Sequence, residues 1–537
     1  MCMKVWLVGV GACVLACGAA SKIAGAQDCV ALKNAVIVDT AIKSAEAVEA
    51  SSKPSGPVGF PGPQTGPLPA FCKVTGVIRD RTGLDGKHYG IHFELRLPAQ
   101  WNGKLYFQGG GGMDGSVSPA IGSSGGGTPS ALARGYAVAS DDGGHQGMDL
   151  SFGHEQQARL DFAFESTPET ALVVRQLIAA YYGKPPAHSY FVGCSNGGRE
   201  AMMAIERTPL VFDGAIAGDP GFRLTHAAIA EAWDTQVFAA VAPKDAAGHP
   251  ILSRSLSDAD MKLLAHAVVE RCDALDGLKD GQINNFSACK FDPAELACAG
   301  AKTDSCLSRE QVQAVKKSFG GARDSKGNPL YSSWPYDAGI GEMGWRMWKL
   351  GTSQTAQPNA INTTMGGGAL TDYFVYPHVD GLTVMNFDFD HAAGETDQTA
   401  RINDAVDTNL STFAAHGGKL LIYEGLSDPV FSADDIIDYY RQLERDNGGP
   451  EKAASTARLF LVPGMNHCGG GPATDQFDAL TSLEKWVEQG EAPQSIMATG
   501  AAFPGRTRPL CPYPQYAAYN GSGDPQDGHN FTCKNPQ

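Results

Sequence analysis

The chain has 537 residues, and its 42 Lys and Arg residues are outnumbered by 58 Asp and Glu residues, which gives a formal net charge of −16. A negative charge of this size disfavours DNA or RNA as a partner. With 43% hydrophobic and 19% charged residues, the composition is that of a globular protein and excludes a disordered or fibrous chain. The length predicts one large domain with a sizeable insertion, or two domains.

The N-terminus predicts an export signal over residues 1–26. Lys4 precedes an apolar run over residues 5–17, and the small-residue sequence AGAQ offers a cleavage site after Ala26. The run is too short to span a bilayer, and no other stretch is long and apolar enough to do so. Lipidation of Cys17 is an alternative that the residues before it disfavour, and a buried N-terminal helix is another. We therefore expect a secreted or periplasmic protein without a membrane span, with an outer-membrane lipoprotein as the alternative.

Three segments with different residue patterns follow the predicted export signal. Residues 27–221 alternate short apolar runs with glycine-rich turns, and their clearest strands are KLYFQ, GYAVAS and SYFVG. Residues 222–406 change to helical patterns such as DADMKLLAHAVVERC and predict an inserted domain. Strands return over residues 407–537 with GGKLLIYEG and ARLFLVPG, separated by the amphipathic ADDIIDYYRQLER. This order predicts an α/β fold whose sheet core is built from two parts of the chain.

Ser195 lies in GCSNG, residues 193–197, which satisfies the GxSxG pattern of a nucleophile turn. The apolar SYFVG before it and the helical NGGREAMMAIER after it supply the strand-to-helix context that the motif requires. Small residues permit the strained turn, which lifts the serine hydroxyl clear of the sheet at a helix N-terminus. An incidental glycine-rich turn is the alternative, because a bare GxSxG often occurs by chance. We predict that Ser195 is a catalytic nucleophile.

A serine nucleophile needs a base and a carboxylate that orients the base, and in this fold class the acid and then the histidine follow the serine. Asp428 follows the strand KLLIYEG, and His467 follows ARLFLVPG. His145 is a rival base, but it precedes the serine. Asp434 and Asp435 open a helix and are predicted to interact with its dipole. The predicted triad is Ser195, Asp428 and His467.

The charge of a tetrahedral intermediate needs fixed N–H donors. The backbone N–H of Asn196, directly after the nucleophile, is one predicted donor. The other is predicted in the glycine-rich loop QGGGGMDG, which follows KLYF, at Gly111 or Gly112. We assign Gly112 to the oxyanion hole and Gly111 to the substrate pocket. A flexible turn is the alternative for this loop taken alone.

Ten of the 13 cysteines lie outside the predicted export signal, and an even number in an oxidising compartment favours disulfides. These ten form no CxxC, so a zinc or iron–sulfur site is not predicted. Cys194 precedes the predicted nucleophile and Cys468 follows the predicted base, so a Ser195 to His467 hydrogen bond would bring the two cysteines together. We predict that they pair and hold the site, with two unrelated cysteines as the alternative. The other predicted disulfide cysteines are Cys29, Cys72, Cys272, Cys289, Cys298, Cys306, Cys511 and Cys533, with Cys272–Cys289, Cys298–Cys306 and Cys511–Cys533 as the local pairings.

At these residues the sequence resembles the tannase and feruloyl esterase family, whose hallmark is a cysteine-serine, aspartate and histidine-cysteine arrangement. The resemblance covers essentially the whole mature chain, through GIHFELRLPAQWNGKLY, GCSNGGREAMM, CDALDGLKDGQI, LVPGMNHCGGGPATD and RTRPLCPYPQ. It implies an α/β-hydrolase core with a large inserted lid domain and hydrolysis of a small carboxylic ester with an aromatic acyl group. Within the family the sequence is most similar to the bacterial branch that hydrolyses mono(2-hydroxyethyl) terephthalate (MHET). A feruloyl esterase or tannase acting on plant phenolic esters is the alternative, and a monomer is expected.

An acidic, glycine-containing loop in the predicted lid is the candidate cofactor site. Asp273, Asp276 and Asp280 cluster there between two cysteines, and carboxylates with backbone carbonyls suit Ca²⁺. The spacing is not that of an EF-hand, so the residues alone leave a solvated acidic loop as an equal alternative. The family resemblance implies a structural calcium, held by these carboxylates and by the carbonyl oxygens of Leu278 and Gln282.

The resemblance also implies a substrate pocket with aromatic walls. Phe387 and Phe431 match aromatic residues that line the pocket in the MHET-hydrolysing branch, and Tyr373 is a further candidate. The alternative role for all three is lid core. Thr383 stands where that branch has an arginine for the free carboxylate of MHET, and the loss of a charge-assisted pair predicts weak MHET hydrolysis. Asn196 replaces an acidic residue of that branch, although its backbone N–H remains.

Two functions of other classes stay open on the residues alone. A non-catalytic, calcium-dependent binding protein would not require an intact triad, which this chain has. A peptidase is compatible with the triad, because serine chemistry by itself does not distinguish an amide from an ester.

Overall fold

A computed structural model of the chain describes residues 28–52, 66–122 and 129–536, and the export signal predicted over residues 1–26 lies outside these ranges. The main sheet consists of β1 Thr40–Val48, β2 Phe71–Thr82, β3 His88–Pro98, β4 Lys104–Gln108, β5 Ala137–Asp141, β6 His188–Cys194, β7 Gly214–Gly218, β8 Lys419–Gly425 and β9 Ala457–Val462. Their spatial order is β1-β2-β3-β5-β4-β6-β7-β8-β9. The first three strands and β5 pair antiparallel, whereas β4 to β9 pair parallel.

The parallel strands are buried on both faces. Every residue of β5 and β7 is buried, and only the first residue of β8 is partly exposed. Continuous burial of this kind is typical of a parallel sheet covered by helices on both sides. The predicted strands KLYFQ, GYAVAS, SYFVG, GGKLLIYEG and ARLFLVPG correspond to β4, β5, β6, β8 and β9. The sequence GAIAG of β7 does not predict a strand, because alanine and glycine have little β-propensity.

Helices cover the sheet and build most of the remaining chain. The α-helices are α1 Gln156–Leu160, α2 Ser166–Tyr182, α3 Asn196–Arg207, α4 Leu224–Val241, α5 Asp258–Cys272, α6 Arg309–Phe319, α7 Met343–Lys349, α8 Gly367–Ala369, α9 Asp397–Asn403, α10 Ser411–Ala415, α11 Ala433–Asp446, α12 Pro450–Ala453 and α13 Ala479–Gln489. Wider π-helical turns occupy Asp161–Glu165, Asn362–Gly366 and Leu370–Phe374. No helix in the described ranges has both the length and the apolar character needed to cross a membrane.

Smaller elements complete the chain. Two small antiparallel sheets are formed by β10 Gln476–Phe477, β11 Ile496–Thr499 and β12 Arg508–Leu510, and by β13 Tyr516–Tyr519 and β14 Phe531–Lys534. Single 3₁₀ turns lie at Cys29–Asn34, Leu150–His154, Leu252–Arg254, Asp273–Asp276, Phe286–Ala288, Pro293–Leu296, Ala338–Gly341, Ala392–Thr396 and Gly528–Asn530. The disulfides are Cys29–Cys72, Cys194–Cys468, Cys272–Cys289, Cys298–Cys306 and Cys511–Cys533. Five disulfides are typical of a protein that folds in an oxidising compartment.

Residues 219–418, which connect β7 to β8 and carry α4 to α10, form the insertion. It shares one apolar cluster with the core, whose members include Met113 and Phe162 of the core and Trp345 and Phe374 of the insertion. The predicted lid, residues 222–406, falls within this connection. The two ends of the predicted lid lie together, because the N–H of Ala405 donates to the carbonyl oxygen of Phe222 at 2.7 Å. The exact division into domains stays a prediction.

Candidate active site

Ser195 occupies the turn between β6 and α3, with φ 65° and ψ −126°. A left-handed φ is strained for a serine, as in other strand-to-helix nucleophile turns. The flanking glycines are required by close backbone approach. A Cβ on Gly193 would lie 2.3 Å from the carbonyl oxygen of Gly197, and one on Gly197 would lie 2.7 Å from that of Gly110. The turn therefore exposes the serine hydroxyl at the carboxyl end of the sheet.

Three side chains from separate strand ends form one hydrogen-bonded chain. The Oγ of Ser195 lies 2.8 Å from Nε2 of His467, and Nδ1 of His467 lies 2.6 Å from Oδ2 of Asp428. Asp428 is buried, and its Oδ1 accepts the backbone N–H groups of Val430 and Phe431 at 2.7 and 3.1 Å. These two bonds fix the carboxylate and leave Oδ2 for the imidazole. The arrangement suits a serine nucleophile with an oriented base.

The charge around His467 favours its protonated form. Burial lowers the pKa of His467, but the charge and hydrogen bond of Asp428 and the charge of Asp219 together raise it above its ordinary value. Asp219 follows β7 and accepts the N–H groups of Gly425 and Cys468 at 2.6 and 2.8 Å. Burial raises the pKa of Asp219. Asp219 is not among the predicted site residues, although its place directly after the apolar GAIAG marks it as lying at a strand end.

The Cys194–Cys468 disulfide joins the end of β6 to the loop that carries His467. Its sulfurs are 2.04 Å apart, its Cα atoms 6.0 Å apart, and it closes a sequence separation of 274 residues. Cys194 and Cys468 are thus the chain neighbours of Ser195 and His467, and the bond spans the same gap as their hydrogen bond. It limits the relative motion of the nucleophile turn and the histidine loop.

His145, the rival base, belongs to the core. Its Nε2 lies 2.8 Å from the carbonyl oxygen of Met113, and its ring stacks on Phe152 with 3.7 Å between the ring centres. Burial lowers the pKa of His145 to about 4. These contacts indicate a structural histidine.

Gly112 and Asn196, the two predicted oxyanion donors, line the same cavity as Ser195. The Asn196 side chain is otherwise engaged, because its Nδ2 donates to Asp114 at 2.6 Å and its Oδ1 accepts from Arg199 at 2.7 Å. Its backbone N–H is therefore the group that Asn196 offers to the cavity. Gly112 has a φ of 61°, a conformation suited to glycine.

The cavity walls are mainly apolar and come from both the core and the insertion. The larger apolar lining side chains are Met113, Leu224, Trp348, Met365, Phe374 and Phe431. The rings of Trp348 and Phe431 pack edge-on against the imidazole of His467, with centres 5.4 and 5.3 Å away. Glu231 is the only ionisable side chain among the lining residues within the described part of the chain. Neither Trp348 nor Glu231 was predicted, since nothing in their local sequence marks them as facing a cavity.

The four predicted pocket residues have different positions. Phe431 lines the cavity, whereas Gly111, Tyr373 and Phe387 are not among the described lining residues. Tyr373 is fully buried and its hydroxyl donates to Oδ1 of Asn403 at 3.2 Å inside the insertion, while its neighbour Phe374 reaches the cavity. Phe387 is buried in the insertion. Thr383 lies at the surface, where it donates to the side chain of Asn386 at 3.1 Å, away from the cavity.

The predicted calcium loop is a buried acidic turn with two arginines beside it. Asp273 accepts the N–H of Gly281 at 2.9 Å, and Asp280 forms an ion pair with Arg508. Burial raises the pKa of Asp273, and raises that of Asp276 to about 6. Buried carboxylates with raised pKa values suit a bound hard cation, and the oxygen donors are those that Ca²⁺ prefers. The donor chemistry therefore fits the predicted ion, while Arg508 already neutralises part of the charge.

Other side chains are also close enough to hold a metal ion. Ligand atoms within 4.8 Å of one another occur in the described residues at His154, Asp372 and His378, and at Asp219, Asp428 and His467. Within those residues the carboxylates of the acidic loop do not form such a group. The loop is thus distinguished by burial and charge rather than by close ligand spacing.

Comparison with known proteins identifies the family. A profile of the family Tannase and feruloyl esterase matches residues 72–534. The chain belongs to this family. It is similar to mono(2-hydroxyethyl) terephthalate hydrolase of Piscinibacter sakaiensis, with 44% identity over 519 residues that cover 87% of this chain and 85% of the relative. A probable feruloyl esterase of Arthroderma benhamiae is 28% identical over 486 residues, which cover 86% of this chain and 85% of the relative.

The structural comparison shows the fold of this tannase and feruloyl esterase family member. The crystal structure of feruloyl esterase B from Aspergillus oryzae matches with a TM-score of 0.79 at 23% identity, covering 94% of this chain and 99% of the other. The nine-stranded sheet, with its helices and insertion, is an α/β-hydrolase core with an inserted lid. Together with its relatives, this makes the protein a carboxylic ester hydrolase.

Proposed function

We propose that the protein hydrolyses esters of aromatic carboxylic acids through an acyl-enzyme on Ser195, with Asp428 and His467 completing the triad. The observation that carries this proposal is the hydrogen-bonded chain from Asp428 through His467 to Ser195, which ends at a cavity with aromatic walls. Apolar walls with a few placed polar groups are typical of a site for a small organic substrate.

The mechanism follows from the positions of these groups. His467, oriented by Asp428, takes the proton of Ser195 as its Oγ attacks the ester carbonyl carbon. The backbone N–H groups of Asn196 and Gly112 stabilise the oxyanion. The intermediate collapses when His467 gives the proton to the alkoxide, and the alcohol leaves. A water molecule, deprotonated by the same imidazole, then attacks the acyl-enzyme and frees the aromatic acid and Ser195.

Two classes of acyl group are candidates. Similarity to a relative named as an MHET hydrolase favours MHET, which would give terephthalate and ethylene glycol. A second observation favours the uncharged phenolic esters of feruloyl esterases and tannases. Thr383 lies at the surface, and no described lining residue is a cation that would pair with a free carboxylate.

We also propose a structural calcium in the acidic loop, export after cleavage at Ala26, and a monomeric state. When bound, the ion would be held by Asp273, Asp276 and Asp280 with the carbonyl oxygens of Leu278 and Gln282. It would stabilise the insertion without taking part in ester cleavage. Chelation is expected to lower the melting temperature, and an unchanged melting temperature would contradict the calcium proposal.

The deciding experiment compares turnover of MHET, methyl gallate, methyl ferulate and a p-nitrophenyl ester, with Ser195→Ala as the control. Efficient MHET hydrolysis would assign the protein to terephthalate chemistry. Preference for methyl gallate or methyl ferulate would assign it to plant phenolic esters. A Ser195→Ala variant that keeps full activity would overturn the proposed nucleophile.

A further inference from the structure

One face of α4 runs along the cavity away from the nucleophile. Leu224, Ala228 and Glu231 line it, and their spacing of four and three residues places them on one side of the helix. The start of α4 is tied to the nucleophile turn, because the N–H of Gly221 donates to the carbonyl oxygen of Ser195 at 3.2 Å. Seven residues of helix correspond to roughly 10 Å, so Glu231 lies about two helical turns beyond Leu224, farther along α4 from the end that contacts the nucleophile turn. An aromatic acyl group bound at Ser195 would point its ring toward Glu231.

The Glu231 carboxyl is held at the cavity wall without a protein partner. The residue is only 7% exposed, and the described residues that act on its carboxyl, Lys349 and Asp234, do so through charge and not through a hydrogen bond. Gly366, which also lines the cavity, makes room for it. A Cβ at Gly366 would lie 1.6 Å from Oε2 of Glu231. A buried polar group that faces a cavity unpaired is expected to find its partner in a ligand.

Burial keeps the Glu231 carboxyl neutral, and the charges behind it do not reverse this effect. The ammonium of Lys349, whose charge acts on the Glu231 carboxyl, is paired with Asp234, which lies one helical turn from Glu231. Burial raises the pKa of Glu231 to about 8. The charge of Lys349 only partly opposes this effect, and the charge of Asp234 adds to it. At pH 7 the group is therefore mainly a carboxylic acid, which can both donate and accept a hydrogen bond.

We infer that Glu231 is a specificity-determining residue that binds a hydroxyl group on the aromatic ring of the acyl part and disfavours a free carboxylate there. This inference rests on the proposed function. A ring hydroxyl can exchange hydrogen bonds with the Glu231 carboxyl and satisfy both groups. A substrate carboxylate would instead add a negative charge to a buried site in which Asp234 already holds the available cation.

The kinetic test uses three methyl esters that differ only at the ring position opposite the ester, namely methyl 4-hydroxybenzoate, methyl benzoate and monomethyl terephthalate. For Glu231→Leu we expect kcat/KM on the hydroxylated ester to fall by roughly tenfold, since one hydrogen bond is lost, while methyl benzoate changes by less than about twofold. Glu231→Gln keeps a donor and an acceptor and is expected to retain the preference for the hydroxylated ester. Glu206→Gln replaces a partly buried glutamate outside the cavity and is the matched control.

An equal fall on all three esters for Glu231→Leu would overturn the inference, as would a wild-type preference for monomethyl terephthalate. Binding to the Ser195→Ala variant separates this result from the proposed function. By calorimetry, 4-hydroxybenzoate is expected to bind at least about tenfold more tightly than terephthalate, and adding Glu231→Leu is expected to remove that difference. If no ester is hydrolysed but the acids still discriminate, the proposed function fails and the Glu231 site stands. If the acids bind equally, the Glu231 site fails.

Discussion

The core and the insertion contribute to one cavity in different ways. The core supplies Ser195, Asp428 and His467 from strand ends, each fixed by backbone hydrogen bonds or by a disulfide. The insertion supplies Trp348 and Glu231, whose surroundings depend on packing between distant helices. We therefore expect the sheet to set the reaction type and the insertion to set the choice of substrate.

The largest expected effect comes from the core. Asp428→Asn removes the carboxylate that orients His467, and we expect kcat to fall by about 10⁴-fold with the fold retained. Steady-state kinetics on a p-nitrophenyl ester, with circular dichroism as the check on folding, measures this. Asp434→Asn is the control, because Asp434 bonds to Ser333 at the start of α11 outside the cavity. A variant that retains even a tenth of wild-type turnover would remove Asp428 from the triad.

The sequence predicts the active-site residues of the core better than the cavity residues of the insertion. Apolar runs such as KLYFQ and the flanks of GCSNG predict strands and the nucleophile turn, because buried strands and glycine turns have local signatures. The adjacency of Cys194 to Ser195 and of Cys468 to His467 predicts a long-range contact. Glu231 carries no such signal. The position and the charge state of its carboxyl depend on Gly366 and Lys349, which are brought beside it only when the chain folds.

A second prediction concerns the Cys194–Cys468 disulfide, which joins the nucleophile turn to the histidine loop. We expect the double variant Cys194→Ser with Cys468→Ser to lose about ten- to a hundredfold in kcat/KM, because small displacements of reacting groups are costly. It is also expected to lose stability, since the bond closes a long loop. The matched control is the pair Cys298→Ser and Cys306→Ser, which removes a disulfide of the insertion with a separation of 8 residues. Equal losses of activity in both double variants would show that the first disulfide has no special role at the site.

The core and the insertion are expected to affect the pH dependence of kcat/KM in opposite directions, with a loss at low pH from the core and a loss at high pH from the insertion. His467 must be neutral to accept a proton. Burial lowers its pKa, but Asp428 and Asp219 together raise it above its ordinary value, so kcat/KM is expected to fall tenfold per pH unit below that raised pKa. Glu231, beside Lys349 and Asp234, loses its proton near pH 8. We therefore expect a second decline above about pH 8 for monomethyl terephthalate but not for methyl benzoate, whose ring has no charge to repel. Profiles of the two esters that coincide at high pH would contradict this role of Glu231.

The smallest expected effect alters the insertion without touching Glu231 itself. Gly366→Ala places a methyl group where the Glu231 carboxyl lies, so the carboxyl must move. We expect the ratio of kcat/KM for methyl 4-hydroxybenzoate over methyl benzoate to fall by about three- to tenfold, because the hydrogen-bond geometry is lost while the triad is unchanged. Gly368→Ala is the control on the same helical segment, since its added methyl group would meet only the side-chain end of Leu150. A ratio that falls equally in both variants would assign the effect to the helix backbone. A fall confined to Gly366→Ala would mean that the insertion sets specificity through the position of one carboxyl group.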